Sequence, residues 1–300
     1  MENNRSQTRA FLMLGLVMLF WAGNSIVGRA VRGDIPPFTL ALGRWLLAVL
    51  VLLPFAWRQL WKECAAARAG WRWVLVLGFL GIVCFNGFLY KGLHYTTAAN
   101  ALLLQAAIPA AVMALDFAVF GGRPGRLHIL GVAVSTLGVI AIVFRGDPAA
   151  LLHLEFGAGD LLIFCAVAAW SLYTVFLRKR PPISATSLLV LTFTIGALAM
   201  APLAAMERAR GELVAWSPQV VAAFAYVGVF PSVIAYFIYN RATGQLGPAR
   251  AGQAITLMPL FGAMLSALLL GERLHGYHLG GMALILGGIA LSALAMRRAK

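Results

Sequence analysis

Runs of about twenty apolar residues, separated by short basic or Gly/Pro-containing seams, follow one another along the whole chain. A helix of about twenty residues crosses the ~30 Å hydrocarbon layer of a bilayer. Ten such spans can be drawn. In the first half they are about 10–31, 36–56, 72–92, 98–120 and 127–145. In the second they are about 158–178, 184–205, 218–239, 248–270 and 276–296. Pro36-Pro37 opens the second span and Pro181-Pro182 precedes the seventh, places where proline suits a helix start. Gly121-Gly122-Arg123-Pro124-Gly125 is a turn. Arg5 and Arg9 before an apolar run resemble a signal peptide, but the run is longer than the ~7–15 residues of a signal core and is expected to stay as the first span.

The pattern is written twice. Shifted by 150 positions, Pro109 falls on Pro259, Gly121 on Gly271, Arg123 on Arg273 and His128 on His278. Gly131, Ala133 and Gly138 fall on Gly281, Ala283 and Gly288. The polar connection 145–160 divides the chain into halves, 1–148 and 149–300, of five spans each. Weak internal symmetry in a very apolar chain points to a transporter.

Composition agrees. The chain is 61% hydrophobic and 11% charged, against about 25% charged for a soluble domain. A formal net charge of +14 would suggest nucleic acid in a soluble protein. Here the basic residues sit between apolar runs, where membrane proteins keep their topology signals, so no nucleic-acid partner is expected. With the N-terminus inside, inside connections hold 16 Lys and Arg, outside ones 7, and Arg44 lies within a span. This bias places both termini in the cytoplasm. Because five is odd, the second half must enter the bilayer from the opposite side, which makes the halves inverted repeats.

The chemistry for catalysis is missing. Cys64, Cys84 and Cys165 have no metal-ligand spacing, and His275 and His278 lack a HExxH pattern. No Walker A motif, GxGxxG after a strand or Ser/His/Asp set occurs. No enzyme activity, cofactor or metal is expected. The expected partners are the lipid bilayer and a small-molecule substrate. The oligomeric state is open, and a monomer is compatible with the sequence.

Phe20-Trp21-Ala22-Gly23-Asn24 in span 1 and Gly43-Arg44-Trp45-Leu46-Leu47-Ala48 in span 2 resemble motifs of the drug/metabolite transporter superfamily. Leu269-Leu270-Gly271-Glu272-Arg273-Leu274 and the glycine-rich last span, with Gly280, Gly281, Gly287 and Gly288, are also similar to it. The likeness covers essentially the whole chain and is to the ten-span EamA-type exporters. The abundance of aromatic residues resembles the YddG-like branch of aromatic amino-acid exporters. The resemblance implies a bacterial-type inner-membrane carrier that moves amino acids or small metabolites out of the cell. A multidrug or cation exporter of the same superfamily, or a channel, is the alternative. One departure is Gly122, where the family pattern puts glutamate, so any ion pair made by Glu272 is not duplicated.

Polar side chains inside spans are costly and are candidate functional sites. Arg44 lies about eight residues, or roughly 12 Å, into span 2. It is either a partner for a substrate carboxylate or gate residue, or a structural arginine bonded to neighbouring carbonyls. Asn24, Asn86, Gln105 and Gln253 carry amides that need partners; the two glutamines share their spans with Pro109 and Pro259, which are expected to kink spans 4 and 9 as gates. Trp21 and Trp170, 149 positions apart and mid-span, are expected to line an apolar cavity with stacking faces. Tyr90, Tyr173, Tyr236 and Tyr239 join the candidate cavity set, although span-end tyrosines such as Tyr90, Tyr95 and Tyr239 also suit an interfacial belt. Lys91, His94 and Tyr95 could line an outward vestibule. Asp160 is expected to cap span 6, and Asp116 to pair with Arg123 or Arg126. No carboxylate falls at the midplane, which suggests a facilitator or exchanger. The expectation is an all-α membrane protein of ten helices, its cavity lined by spans 1, 3, 4, 6, 8 and 9 and opened by alternating access.

Overall fold

The computed structural model describes residues 2–92, 95–96, 101, 104–147, 157–270 and 275–298, which are helical with short turns. The helices are α1 (Glu2–Ala30), α2 (Pro37–Lys62), α3 (Trp71–Gly92), α4 (Ile108–Phe120) and α5 (Arg126–Val143). After them come α6 (Ala158–Lys179), α7 (Ala185–Ala209), α8 (Pro218–Leu246), α9 (Leu257–Leu270) and α10 (Gly276–Arg298). A short helix, Cys64–Ala69, joins α2 to α3.

Among the described residues, seven helices are long and apolar enough to cross a membrane: α1, α2, α3, α5, α6, α7 and α8. Ile108–Phe120 and Gly276–Ser292 are apolar but shorter. The expected continuous span 248–270 is broken into Pro248–Gln253, a 3-10 turn at Ala254–Thr256, and α9. The described part of 98–120 likewise turns at Ala106-Ala107 before α4. Proline explains both departures. Pro109 and Pro259 do not kink a continuous helix; they sit in the first turn of α4 and α9, where the missing N–H costs nothing. The helix restarts at each proline instead of bending through it.

Each long helix has a protein-facing stripe and a lipid-facing one. On α2, Leu40, Ala41, Arg44, Trp45, Ala48, Leu52 and Ala56 are buried at three- and four-residue spacing. Leu50 and Phe55 on the other side are 66% and 81% exposed, which suits contact with acyl chains. Trp57, Trp61 and Trp71 are exposed beside Arg58, Lys62 and Arg72, the place of an interfacial aromatic belt.

The two halves meet through reciprocal contacts. On α5 and α10, a methyl group added at Gly131 would collide with the Gly288 carbonyl, and one at Gly138 would lie 2.6 Å from that of Gly281. Adding 150 to either α5 position gives the partner of the other, so the pairing exchanges with itself and the helices run antiparallel. Small residues let these backbones approach closely, and Ser135 Oγ donates to the Ile285 carbonyl at 3.2 Å. Helices α2 and α7 also pair antiparallel, each ending in a glutamate that serves the start of the other. Glu207 accepts from the Phe38 and Thr39 N–H groups at 2.8 and 2.7 Å. Glu63 accepts from Ser184 N–H and Oγ–H at 3.0 Å. These carboxylates satisfy otherwise unpaired N–H groups at the positive end of the helix dipole.

One repeated feature was not legible as a span boundary. Helices α3 and α8 each contain a six-residue π-helical segment, Phe79–Cys84 and Val229–Ile234. They are offset by 150 residues, like the sequence repeat. Gly81 in one corresponds to Pro231 in the other. π-helical turns inside α-helices concentrate at functional sites.

Candidate functional site

Aromatic rings from α1, α6 and α8 fill the middle of the bundle. The Trp21 ring lies 5.1 Å from Trp170, 5.8 Å from Tyr236 and 5.2 Å from Tyr239. Trp170 lies 5.1, 5.7 and 5.3 Å from Tyr173, Tyr236 and Tyr239. Behind them stand Trp45 of α2, Phe193 of α7 and Phe85 of α3, the last 4.7 Å from Trp170. Contacts of this kind contribute roughly 0.5–1.5 kcal/mol each beyond area burial. The rings touch, so the cluster is closed.

The polar edges of these rings are individually placed. Tyr236 O–H donates to the Gly81 carbonyl at 3.0 Å, and Trp21 Nε1–H donates to the Pro231 carbonyl at 2.9 Å. Tyr173 O–H donates to Asn240 Oδ1 at 2.7 Å, and the Thr174 and Tyr239 hydroxyls are 3.0 Å apart. Trp170 Nε1 completes no well-directed hydrogen bond among the described residues, with the Tyr239 hydroxyl as its electrostatic neighbour.

Arg44 borders the cluster from α2 and is only 3% exposed. Its Nε donates to Ser232 Oγ at 2.5 Å, Nη1 to Tyr90 O–H at 3.1 Å and Nη2 to the Pro231 carbonyl at 3.3 Å. The guanidinium also lies 4.5 Å from the centre of the Trp45 ring. The ion pair found among the described residues is elsewhere, between Arg178 and Asp116 at 2.9 Å. Arg44 is therefore a buried cation solvated by neutral groups. Leaving such a charge without a counter-ion costs several kcal/mol, and five N–H donors exceed the three acceptors it contacts.

Eight of the expected site residues thus gather here: Trp21, Arg44, Asn86, Tyr90, Trp170, Tyr173, Tyr236 and Tyr239. Asn86 Nδ2 donates to the Ile82 carbonyl at 2.9 Å and flanks Tyr236. The belt reading of Tyr90 and Tyr239 gives way: Tyr90 bonds Arg44 and Tyr239 is fully buried, whereas Tyr95 is 63% exposed. Asn24 is half-buried and joins none of these contacts. Gln105 donates back to Ala101 and Gln253 to Gly288, at 3.2 and 3.3 Å. The two glutamines line separate spaces. Gln105 borders a void of about 10 Å³ that Pro259 also touches. Gln253 borders a cleft of about 530 Å³ with Phe11, Gly15, Arg250, Leu257 and Ile289.

Other expectations need correction or fall outside the described residues. Asp116 pairs across the bundle with Arg178, not with Arg123 or Arg126. A side chain at Gly122 would collide with the Asp116 carboxylate, so the first half holds its acid at 116 in the space a residue at 122 would fill. Glu272, Arg273 and His94 lie outside the described residues, while Lys91 sits over the Tyr95 ring at 5.4 Å. Asp160 accepts from Gly157 N–H at 2.9 Å at the start of α6 and also accepts a hydrogen bond from the Thr96 hydroxyl. The sequence reading missed Ser232, Asn240 and the Gly81 and Pro231 carbonyls. The last two carried a signal: they share the 150-residue offset in the middle of α3 and α8.

The chain matches the EamA-like transporter family over residues 8–144 and 157–294. An uncharacterized transporter of Archaeoglobus fulgidus is 29% identical over 293 residues, 95% of this chain and 97% of that one. A probable amino-acid metabolite efflux pump of Salmonella typhimurium is 26% identical over 310 residues, 97% of each chain. A solved crystal structure superposes with a TM-score of 0.74 at 21% identity, over 98% of this chain and 99% of that one, and shows the same fold. The chain belongs to the EamA-like family and is a multi-pass membrane transporter.

Proposed function

We propose that this protein exports aromatic or other hydrophobic amino acids, or closely related metabolites, from the bacterial cytoplasm by alternating access. Its halves, 1–148 and 149–300, act as inverted five-helix repeats with both termini inside. The reciprocal Gly131–Gly288 and Gly138–Gly281 contacts support the inversion, because they pair antiparallel helices from equivalent places in the two halves. The broken α4 and α9 stand in for two of the ten spans, their proline-marked starts acting as gates.

The observation that carries the substrate class is Arg44. It is a buried cation without a bonded carboxylate among the described residues, set beside Trp21, Tyr236 and Trp45. A substrate carboxylate supplies the missing charge as a bidentate partner, and an apolar or aromatic side chain fits among the rings. The efflux pumps of Salmonella typhimurium and Escherichia coli that this chain resembles at 24–26% identity support the amino-acid class. Transport follows the substrate gradient, since no carboxylate among the described residues joins the ring cluster to carry a coupling proton.

Counterflow in proteoliposomes tests this reading. Liposomes preloaded with unlabelled phenylalanine should accumulate labelled phenylalanine transiently and saturably, unaffected by an uncoupler. Unitary currents without counterflow would indicate a channel, and collapse with an uncoupler would indicate proton coupling.

A further inference from the structure

The two π-helical segments place one backbone carbonyl each against the ring cluster. Gly81 O and Pro231 O occupy corresponding positions, 150 residues apart, near the middle of α3 and α8. Each receives donors that belong to the walls of the cluster. Gly81 O accepts from Tyr236 O–H at 3.0 Å, with Asn86 Nδ2 at 3.5 Å. Pro231 O accepts from Trp21 Nε1–H at 2.9 Å and from Arg44 Nη2 at 3.3 Å.

The rings that make these bonds are also the rings that close the centre. Trp21 meets Tyr236 edge-on with ring centres 5.8 Å apart, and both touch Trp170. A substrate cannot lie between them unless they part. When Trp21 or Tyr236 swings away, Pro231 O keeps only the 3.3 Å bond from Arg44 and Gly81 O only the 3.5 Å approach of Asn86, and a weakly satisfied acceptor in a dry interior is costly. The substrate must therefore replace a donor as well as fill a volume.

We propose that Gly81 O and Pro231 O form a paired receptor for the substrate's ammonium group, while Arg44 beside Pro231 O takes its carboxylate. The proposal rests on the amino-acid reading above and narrows it to zwitterions. An ammonium group has three donors and no acceptor, which suits two carbonyls each bonded to a ring of the same cluster. A carboxylate alone offers no donor. A free cation, whether an amine or Na⁺, meets the positive Arg44 3.3 Å from Pro231 O without bringing a counter-charge. A zwitterion brings both charges and matches both groups. In the closed structure the protein's own Trp21 and Tyr236 donors hold the place of the ammonium.

The test uses the full-length protein in proteoliposomes, measuring inhibition of labelled phenylalanine counterflow by unlabelled phenylalanine, 3-phenylpropionate and phenethylamine. The expected result is that both analogues compete at least 10-fold more weakly than phenylalanine, with no change when Na⁺ is replaced by choline. Tyr236→Phe removes the hydroxyl that competes for Gly81 O, so phenylalanine should bind tighter while 3-phenylpropionate is unchanged. Equal competition by 3-phenylpropionate, or strict Na⁺ dependence, overturns the ammonium site alone. Absence of counterflow with every amino acid overturns the substrate reading and this proposal with it.

Discussion

Gly81 and Pro231 hold equivalent positions in two helices, yet their carbonyl oxygens are bonded by different residues. Pro231 O is held by Trp21, a tryptophan of the first half. Gly81 O is held by Tyr236, not by Trp170, the tryptophan that corresponds to Trp21. The repeat is therefore symmetric in backbone and asymmetric in side chains. Such a pair gives a carrier one frame with two unequal faces.

This asymmetry separates the two tryptophans by experiment. Trp21→Phe removes a well-formed buried hydrogen bond and should cost about 1 kcal/mol. Trp170→Phe removes no well-directed hydrogen bond and should cost less, although both lose similar ring area. Thermal unfolding of the purified variants in detergent gives the comparison. Equal melting temperatures for the two variants would contradict the assignment.

Arg44 should tolerate no replacement, including the one that keeps its charge. Its fork reaches Ser232, Tyr90 and Pro231 at once, which a lysine ammonium cannot reproduce. Arg44→Lys should lower the rate of amino-acid uptake at least 10-fold with normal membrane insertion. Near-wild-type uptake by Arg44→Lys would reduce the residue to a general positive charge.

The α5–α10 contact should not accept side chains. At Gly138 even a β-carbon falls 2.6 Å from the Gly281 carbonyl, a backbone atom that cannot move aside alone. Gly138→Leu should cost about 1–3 kcal/mol through overpacking. Gly280→Leu, where nothing lies within 4 Å of the added carbon, is the control and should unfold like the parent. A melting temperature for Gly138→Leu equal to that of the control would disprove the close approach.

Glu63, outside the spans, should tie stability to acid pH. Burial pushes its carboxyl upward, but hydrogen bonds from Gln59, Ser187 and Ser184 outweigh this and leave it below its ordinary value. A native carboxyl that is more acidic than the unfolded one stabilises the protein fully above the unfolded pKa, about 4.3. That stabilisation disappears as pH falls through the native value. Glu63→Gln should therefore be less stable than the parent at pH 7, with the gap closing below about pH 4. A gap that stays constant from pH 7 to pH 3 would show that the carboxylate charge is not involved.

Much of this was legible in the sequence because membrane spans advertise their exceptions. Arg44 stood out as a cation within an apolar run, and Trp21 and Trp170 as a repeated mid-span pair. The glycines Gly131, Gly138, Gly281 and Gly288 were visible as a repeat, though not as the contact between its copies. The π-helical segments were not legible, because the middles of α3 and α8 are apolar on nearly every face, so the phase shift of a widened turn leaves no mark on the pattern. Asn240 was hidden by its neighbour Arg241, which read as the start of a polar seam. The Asp116 partner was misjudged for a different reason. Arg123 and Arg126 are near in sequence, but Gly122 lets the chain turn tightly against the Asp116 carboxylate, and Arg178 reaches it from across the bundle. Pro109 and Pro259 read as kinks within spans, but each lies in the first turn of a helix that restarts there.

The central claim is that the Arg44 and tryptophan cluster at the centre of the bundle binds the transported amino acid. Its most direct test is uptake of a panel of labelled amino acids into liposomes containing the parent protein, Arg44→Ala or Trp170→Ala. Saturable uptake of aromatic and hydrophobic amino acids by the parent and a loss of at least 10-fold in each variant are expected, with all three proteins inserted equally. Parent-like uptake by both variants would contradict it, and would place the substrate pathway elsewhere in the same fold.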